Sequence, residues 1–308
     1  MDYKELVLKS LRLVWGNKWL WAFGLFASAG GGSGSYNFSG GGNMQPFSEN
    51  PQDFNWQVFG SPVSDWVSRN LILLIALAVI VFLLIIMVAI FGIVSQAALI
   101  GAADKLDEDE ETGFSQSLST GITNFWRLLG LMILLALIII VPLLFMVAIG
   151  LMVYASGMPM FFLVFLIPVI LIMIPVAIGV SLVGLLGSRS VVIDSLGPVD
   201  AIKSGWKMLR ENLGPVLLTW LISLLIGFVV GIVVVILLLM LVVPIAMLGY
   251  LIFLTGITTA KLAGIAVLAL LFFLIFLVLR SALGAYRSVY WTLAFRQIRA
   301  LNEPEAPE

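Results

Sequence analysis

Six basic residues carry the sharpest chemical signal in this sequence: Arg189, Lys203, Lys207, Arg210, Arg280 and Arg287. All lie near the ends of long apolar stretches, where guanidinium and ammonium groups attract the phosphates of anionic lipid headgroups. Basic residues also set topology in any membrane protein, and that plainer role is the rival reading of the same six. Arg280 is the most pointed of them. It follows the uncharged run that begins at Leu262, and it lies seven residues before Arg287, so one helix face can carry both.

The acidic run Asp104, Asp107, Glu108, Asp109, Glu110 and Glu111 has enough carboxylates to gather divalent cations or a basic partner. It lacks the glycine and the oxygen-ligand spacing of a calcium loop and reads as a solvated loop. The chain contains no histidine and no cysteine. That removes the commonest general base and metal ligand, and with them any disulfide or thiolate metal site. No phosphate-binding loop or zinc motif is present, so the sequence offers no cofactor, metal or catalytic residues. A net charge of −1 gives no reason to expect a nucleic-acid partner.

The elements that must position these residues follow from composition. Hydrophobic residues make up 61% of the chain and charged residues 11%, against roughly 25% charged in a soluble domain, so a bilayer has to be the main solvent. Uncharged stretches run from Trp19 to Ser48, Asn70 to Ala103, Leu128 to Ser188 and Asn212 to Ala260. A crossing helix needs roughly 20 apolar residues. The stretch from Leu128 to Ser188 therefore holds two spans, separated by the turn-forming Tyr154–Pro159. The expectation is an all-α, polytopic integral membrane protein with spans near 18–30, 70–100, 128–153, 161–187, 215–243 and 262–284. On this placement no Asp, Glu, Lys or His lies mid-span. The ionisable groups that mark proton relays and ion-coupled transport are thus missing from the membrane interior, and acid–base catalysis would have to work from loops and interfaces.

Every Lys and Arg except Arg69 and Lys261 then falls on one side, which by the positive-inside rule is the cytoplasm and includes both termini. Residues 214–279 are apolar enough for three spans, but three would export Arg287, Arg296 and Arg299. Two spans are read here, joined by an apolar outer connection over 245–260. The first span is short and needs help from Val14–Lys18, with Lys18 snorkelling. A cleaved signal peptide ending at the Ala27–Ala29 motif is its rival. The span is preferred because its leader holds Asp2 and Glu5 and because its pattern recurs.

That recurrence organises the chain. Leu8–Leu25 and Ser115–Leu131 share Ser10/Ser117, Leu11/Leu118, Asn17/Asn124 and Trp19/Trp126 at one offset, and Ala201–Leu218 matches in sense with Asn212 before its apolar run. Each begins with an amphipathic stretch suited to the headgroup plane. In the first, Leu6, Val7, Leu11, Val14 and Trp15 oppose Glu5, Lys9, Arg12 and Gly16. In the third, Val199, Ile202, Trp206, Leu209 and Leu213 form an apolar stripe beside Asp200, Lys203, Lys207 and Arg210. A single membrane domain, 1–308, is expected as three transmembrane hairpins, each preceded by an interfacial helix. Unit 1 covers 1–103 with an outer Gly- and Ser-rich loop at 30–68, unit 2 covers 112–193, unit 3 covers 197–300, and 301–308 is a disordered tail.

Two further signals concern packing. Gly227 and Gly231 form a G-x-x-x-G pair, read as intramolecular helix packing in preference to dimerisation. Pro142, Pro168 and Pro175 fall inside spans and are expected to kink them.

The segment Gly187–Leu218 resembles the membrane domain of glycerophosphoryl diester phosphodiesterases and related six-span bacterial membrane proteins. The matching positions are Arg189 at a span exit, then Asp194, Ala201 and Trp206, with Asn212 before the next span; Gly205 stands where that family usually has serine. The resemblance implies a membrane module of a bacterial plasma membrane without the soluble catalytic domain. The functional expectation is a non-catalytic module, not an enzyme, that contacts membrane lipids or a partner protein. The alternative is a transporter or flippase for a lipid-like, largely uncharged substrate.

Overall fold

Helix formation at the start of the chain is local chemistry. The Asp2 carboxylate accepts from the backbone N–H groups of Lys4 and Glu5 at 3.0 and 3.1 Å, satisfying donors that a first turn leaves unpaired. The computed structural model describes residues 2–29, 69–155, 159–254 and 258–301. Among these no strand occurs. The helices are α1 (Tyr3–Gly16), α2 (Leu20–Ala29), α3 (Leu71–Asp107), α4 (Phe114–Thr123), α5 (Phe125–Ala155), α6 (Pro159–Ile193), α7 (Pro198–Glu211), α8 (Leu213–Leu254) and α9 (Thr258–Ala300). The expected outer loop over 30–68 and the tail from 302 lie outside the described residues.

Five helices among the described residues, α3, α5, α6, α8 and α9, are long and apolar enough to cross a bilayer. They coincide with the second to sixth expected spans. The first expected span appears as α2, whose 10 residues reach about 15 Å, half of the roughly 30 Å hydrocarbon core. One expectation changes in detail. The apolar connection over 245–260 is helical up to Leu254 and again from Thr258; its run of apolar helix formers carries no strong turn signal before Thr255. Pro142 lies inside α5, and Pro168 and Pro175 lie inside α6, as their place in the spans implied.

Burial is uneven along the long helices. α3 is largely open from Leu71 to Phe91 and buried from Gly92 to Ala103. α9 is mostly open from Leu270 to Val278 and packed from Ser281 onward. The tight core lies at one end, where Leu99, Ala102, Leu186, Val216, Val289 and Phe295 meet Leu6, Leu20 and Phe23. Lys9, Asp104, Asp107, Asp194, Arg296 and Arg299 gather around the same core, so it is called the charged end below.

Small residues make this packing possible. α2 crosses α9 at Gly24 and Gly284. A Cβ on Gly24 would overlap the Ser281 carbonyl and lie 2.7 Å from the Ala285 nitrogen, and one on Gly284 would lie 3.1 Å from the Gly24 carbonyl carbon. The Ser281 hydroxyl donates to the Trp21 carbonyl across the same crossing. α7 lies on α6 in the same manner, with Gly205 facing the Val183 carbonyl and Gly187; α4 lies on α3 with Gly121 facing Val94 and Ala98.

The repeated asparagines share one structural job. Asn17, Asn124 and Asn212 end α1, α4 and α7. Each sends both its backbone N–H and its side-chain amide to the carbonyl four residues back, Leu13, Thr120 and Met208. Each asparagine's own carbonyl in turn accepts the opening backbone bond of the following helix, from Leu20, Leu128 and Val216. The chain thereby changes direction without abandoning the backbone groups that helix ends leave unpaired.

The crossing of α2 over α9 yields a direct test. Gly284→Leu forces a side chain into backbone and is expected to cost about 1–3 kcal/mol or more. Gly16→Leu, at a position where a Cβ meets nothing within 4 Å, serves as the control. Thermal melting of the purified protein in mild detergent should show a clear loss for the first only. Equal melting temperatures would refute the close approach.

Candidate functional site

The charged end is tied together by ion pairs between helices distant in sequence. Arg296 in α9 reaches Asp104 and Asp107 at 3.4 Å each and Glu108 at 2.7 Å. It also donates to the Asp104 carbonyl at 3.1 Å. Lys9 of α1 pairs with Asp107, and Arg299 pairs with Asp194 just past α6. A single exposed pair contributes little, but a shared, half-buried network fixes geometry. The carboxylates of Asp104, Asp107 and Glu108 therefore do not form the solvated loop expected of the acidic run. α3 stays helical through Asp107, and the spacing places Asp104, Asp107 and Glu108 on the side facing Arg296. Asp109, Glu110 and Glu111 remain exposed. The pairing of Asp194 with Arg299 had no signal in the sequence, because the partners lie far apart in the chain. Between the ends of α3, α6 and α9 this network borders an open polar cleft of about 450 Å³.

The six basic residues of the candidate site divide three ways. Arg189 is 1% exposed, so it leaves the headgroup set. Its guanidinium donates to the Leu185 carbonyl at 2.8 Å, the Ser188 hydroxyl at 2.9 Å and the Ser288 carbonyl at 3.5 Å, joining α6 to α9 through neutral acceptors. The physical reason for this correction is that the span exit at Gly187–Val192 is covered by α7, which packs on it through Ala201 and Gly205.

Lys203, Lys207 and Arg210 stay on the exposed side of α7. Lys203 pairs with Asp200 at 3.3 Å and Lys207 with Glu211 at 4.0 Å. The apolar stripe of α7 splits. Leu209 turns inward with Ala201, Gly205 and Met208, while Val199 and Trp206, seven residues apart, remain open beside the basic residues; Leu213 is also open but begins α8, past the turn at Asn212.

Arg280 and Arg287 come together, as their spacing implied. Both line a cleft of about 250 Å³ bounded by α8, α9 and the end of α2. Arg280 donates from Nε to the Ser28 hydroxyl at 3.3 Å and from Nη2 to the Ser28 carbonyl at 3.2 Å. The opposite wall is Gly227 and Gly231. A Cβ on Gly227 would meet Arg287 Nη2 at 3.1 Å, and one on Gly231 would meet nothing within 4 Å. The glycine pair thus makes room for a guanidinium and an open space, where close helix packing was expected. Ser28 was missed from sequence; its only signal was its place in the small-residue motif after the first apolar segment.

A model of a family of unknown function, DUF7544, matches residues 15–294. The chain belongs to that family. The phosphodiesterase membrane domain is not the family matched. No curated protein and no solved structure matches the chain.

Arg189 supplies the test of this site's framework. Lysine is a compact point charge and cannot fork between the Leu185 and Ser288 carbonyls. Arg189→Lys is expected to destabilise the protein by about 1.5–3 kcal/mol, the usual worth of hydrogen bonds to a charged group. Melting in detergent measures it, and an unchanged midpoint would contradict the bridging role.

Proposed function

We propose that the protein is a non-catalytic module of the plasma membrane whose charged end, with both termini, lies in the cytoplasm and contacts anionic lipids of the inner leaflet. The observation that carries this reading is the outer face of α7. Open Val199 and Trp206 lie there beside Lys203, Lys207 and Arg210. An apolar edge with an indole beside ammonium and guanidinium groups suits the boundary between acyl chains and headgroups. α1 repeats the arrangement, with Leu8, Leu11 and Trp15 open beside Lys4 and Arg12. The positive-inside rule orients this end toward the cytoplasm.

Absence of catalysis is supported by residue chemistry. The chain has no histidine or cysteine, and Asp104, Asp107, Glu108 and Asp194 are engaged by Arg296, Lys9 and Arg299. A transporter or flippase for an uncharged lipid-like substrate gains some support from the cleft beside α8. The two arginines lining that cleft argue for a charged headgroup instead. A partner protein seated on α7 is the remaining occupant of this surface.

Two measurements test the reading. Cysteines introduced at Asp109 and Lys203 should react with an impermeant maleimide only after the inner face is exposed. Labelling of Lys203→Cys on intact cells would overturn the orientation. Replacing Lys203, Lys207 and Arg210 together with glutamine should weaken retention of anionic lipid about tenfold or more, at about 1 kcal/mol per charge. Unchanged total anionic lipid in correctly inserted protein would leave these residues a topological role only.

A further inference from the structure

The three short helices are seated alike, and that fixes what each turns outward. α4 lies on α3, α7 on α6 and α1 on α9, so each rests on the long helix that ends the preceding unit, the last unit serving the first. Counted back from Asn17, Asn124 and Asn212, the residues three and seven places earlier are buried in every case: Val14 and Ser10, Gly121 and Ser117, Leu209 and Gly205. The same stripe faces the bundle in all three, and helical periodicity turns equivalent positions away from it. Trp15 and Ile122 share one of these outward positions and are 63% and 59% exposed; Leu11 and Trp206 share another.

The outward faces differ in charge. α1 presents Lys4 and Arg12, and α7 presents Lys203, Lys207 and Arg210. α4 contains no charged residue. It presents Ser115, Gln116, Ser119 and Thr123, which can hydrogen-bond a phosphodiester or an ester carbonyl without adding charge. Exposed Asp109, Glu110 and Glu111 stand just before it, and Arg127 just after. Carboxylates at this place repel anionic headgroups within a Debye length of about 8–10 Å. Yet α4 ends on an apolar edge like the others, with Ile122 open and Trp126, two residues beyond Asn124, 75% exposed. An open indole at a helix junction suits the bilayer boundary.

We propose that α4 and the start of α5 form a third lipid-contacting side of the charged end, selective for zwitterionic phospholipid where α1 and α7 take anionic phospholipid. The proposal rests on the lipid-contacting reading above and adds both a surface and a difference in headgroup. The shared seating makes α4 the counterpart of α1 and α7, while the charge around it is of the opposite kind. Trp126 and Ile122 meet the acyl chains at their upper end. The hydroxyls and the Gln116 amide meet the phosphate and glycerol esters. Asp109, Glu110 and Glu111 tolerate an ammonium group and exclude a headgroup of net negative charge.

The test uses the full chain in phosphatidylcholine vesicles, with part of the lipid replaced by brominated phosphatidylglycerol or brominated phosphatidylcholine. Bromine quenches an indole that it touches, so comparing the two quenching curves gives the local preference for one headgroup. Trp15→Phe, Trp126→Phe and Trp206→Phe, made one at a time, isolate the three open indoles by difference. Trp126 is expected to be quenched by both lipids, with no preference for phosphatidylglycerol. Trp15 and Trp206 are expected to prefer phosphatidylglycerol about fivefold or more, the worth of one base at such a surface. If Trp126→Phe does not fold, a nitrobenzoxadiazole label on Ser119→Cys, quenched by spin-labelled forms of the same two lipids, decides alone. Trp126 quenched by neither lipid, as water or a bound protein on α4 would leave it, overturns the proposal. So does a preference for phosphatidylglycerol there equal to that at Trp206. In both cases the anionic-lipid reading of α1 and α7 stands. No preference at Trp15 and Trp206 sinks that reading, and the contrast drawn from it.

Discussion

The backbone contact between Gly24 and Gly284 is the constraint on which the charged end depends. No side chain fits between α2 and α9 there. Because the helices touch at the backbone, α2 can lodge against both α3 and α9. From that seat Phe23 stacks on Phe114 of α4 at 4.6 Å, Phe26 meets Phe91 of α3, and Ser28 reaches Arg280. In an apolar solvent such helix contacts cannot be driven by hydrophobic burial between spans, so close packing of small residues and interhelical hydrogen bonds must supply the attraction. The same device recurs at Gly205 on Gly187 and at Gly121 on Val94. Small residues thereby set where α2, α4 and α7 rest.

Polar groups are handled with similar economy. The three asparagines hand the chain from a short amphipathic helix to the apolar helix that follows, with side-chain amides bonded to helix-end carbonyls. Arg189 braces α6 against α9 from inside, through carbonyl and hydroxyl oxygens. The ionic network of Arg296 and Arg299 gathers the last turns of α3, α6 and α9. These devices together give a packed, polar-braced end beneath long open apolar helices. That is the shape expected of a protein whose upper part is solvated by lipid and whose charged rim meets water.

Much of this was legible in the sequence. Apolar length and the distribution of charge located five long helices, and the recurring asparagines lie where amphipathic stretches pass into apolar runs. The seven-residue spacing of Arg280 and Arg287 forecast a shared face, because helical periodicity is a local property. What could not be read was long-range. Whether Arg189 faces lipid or protein depends on α7 folding back over its helix. Whether Asp104 is solvated depends on Arg296, far away in sequence. The role of Gly227 and Gly231 depends on what stands opposite them, and a glycine pair is equally consistent with a helix contact or a cavity.

The central claim is that the open apolar stretches lie in the bilayer while the charged end lies at its surface. Spin labels on single cysteines in this cysteine-free chain, placed at Leu77 on the open part of α3 and at Lys203 on α7, measure it directly in lipid nanodiscs. Relaxation by oxygen, which concentrates in the hydrocarbon, should dominate at Leu77, and relaxation by a water-soluble nickel complex should dominate at Lys203. Strong nickel relaxation at Leu77, or oxygen-dominated relaxation at Lys203, would contradict the account.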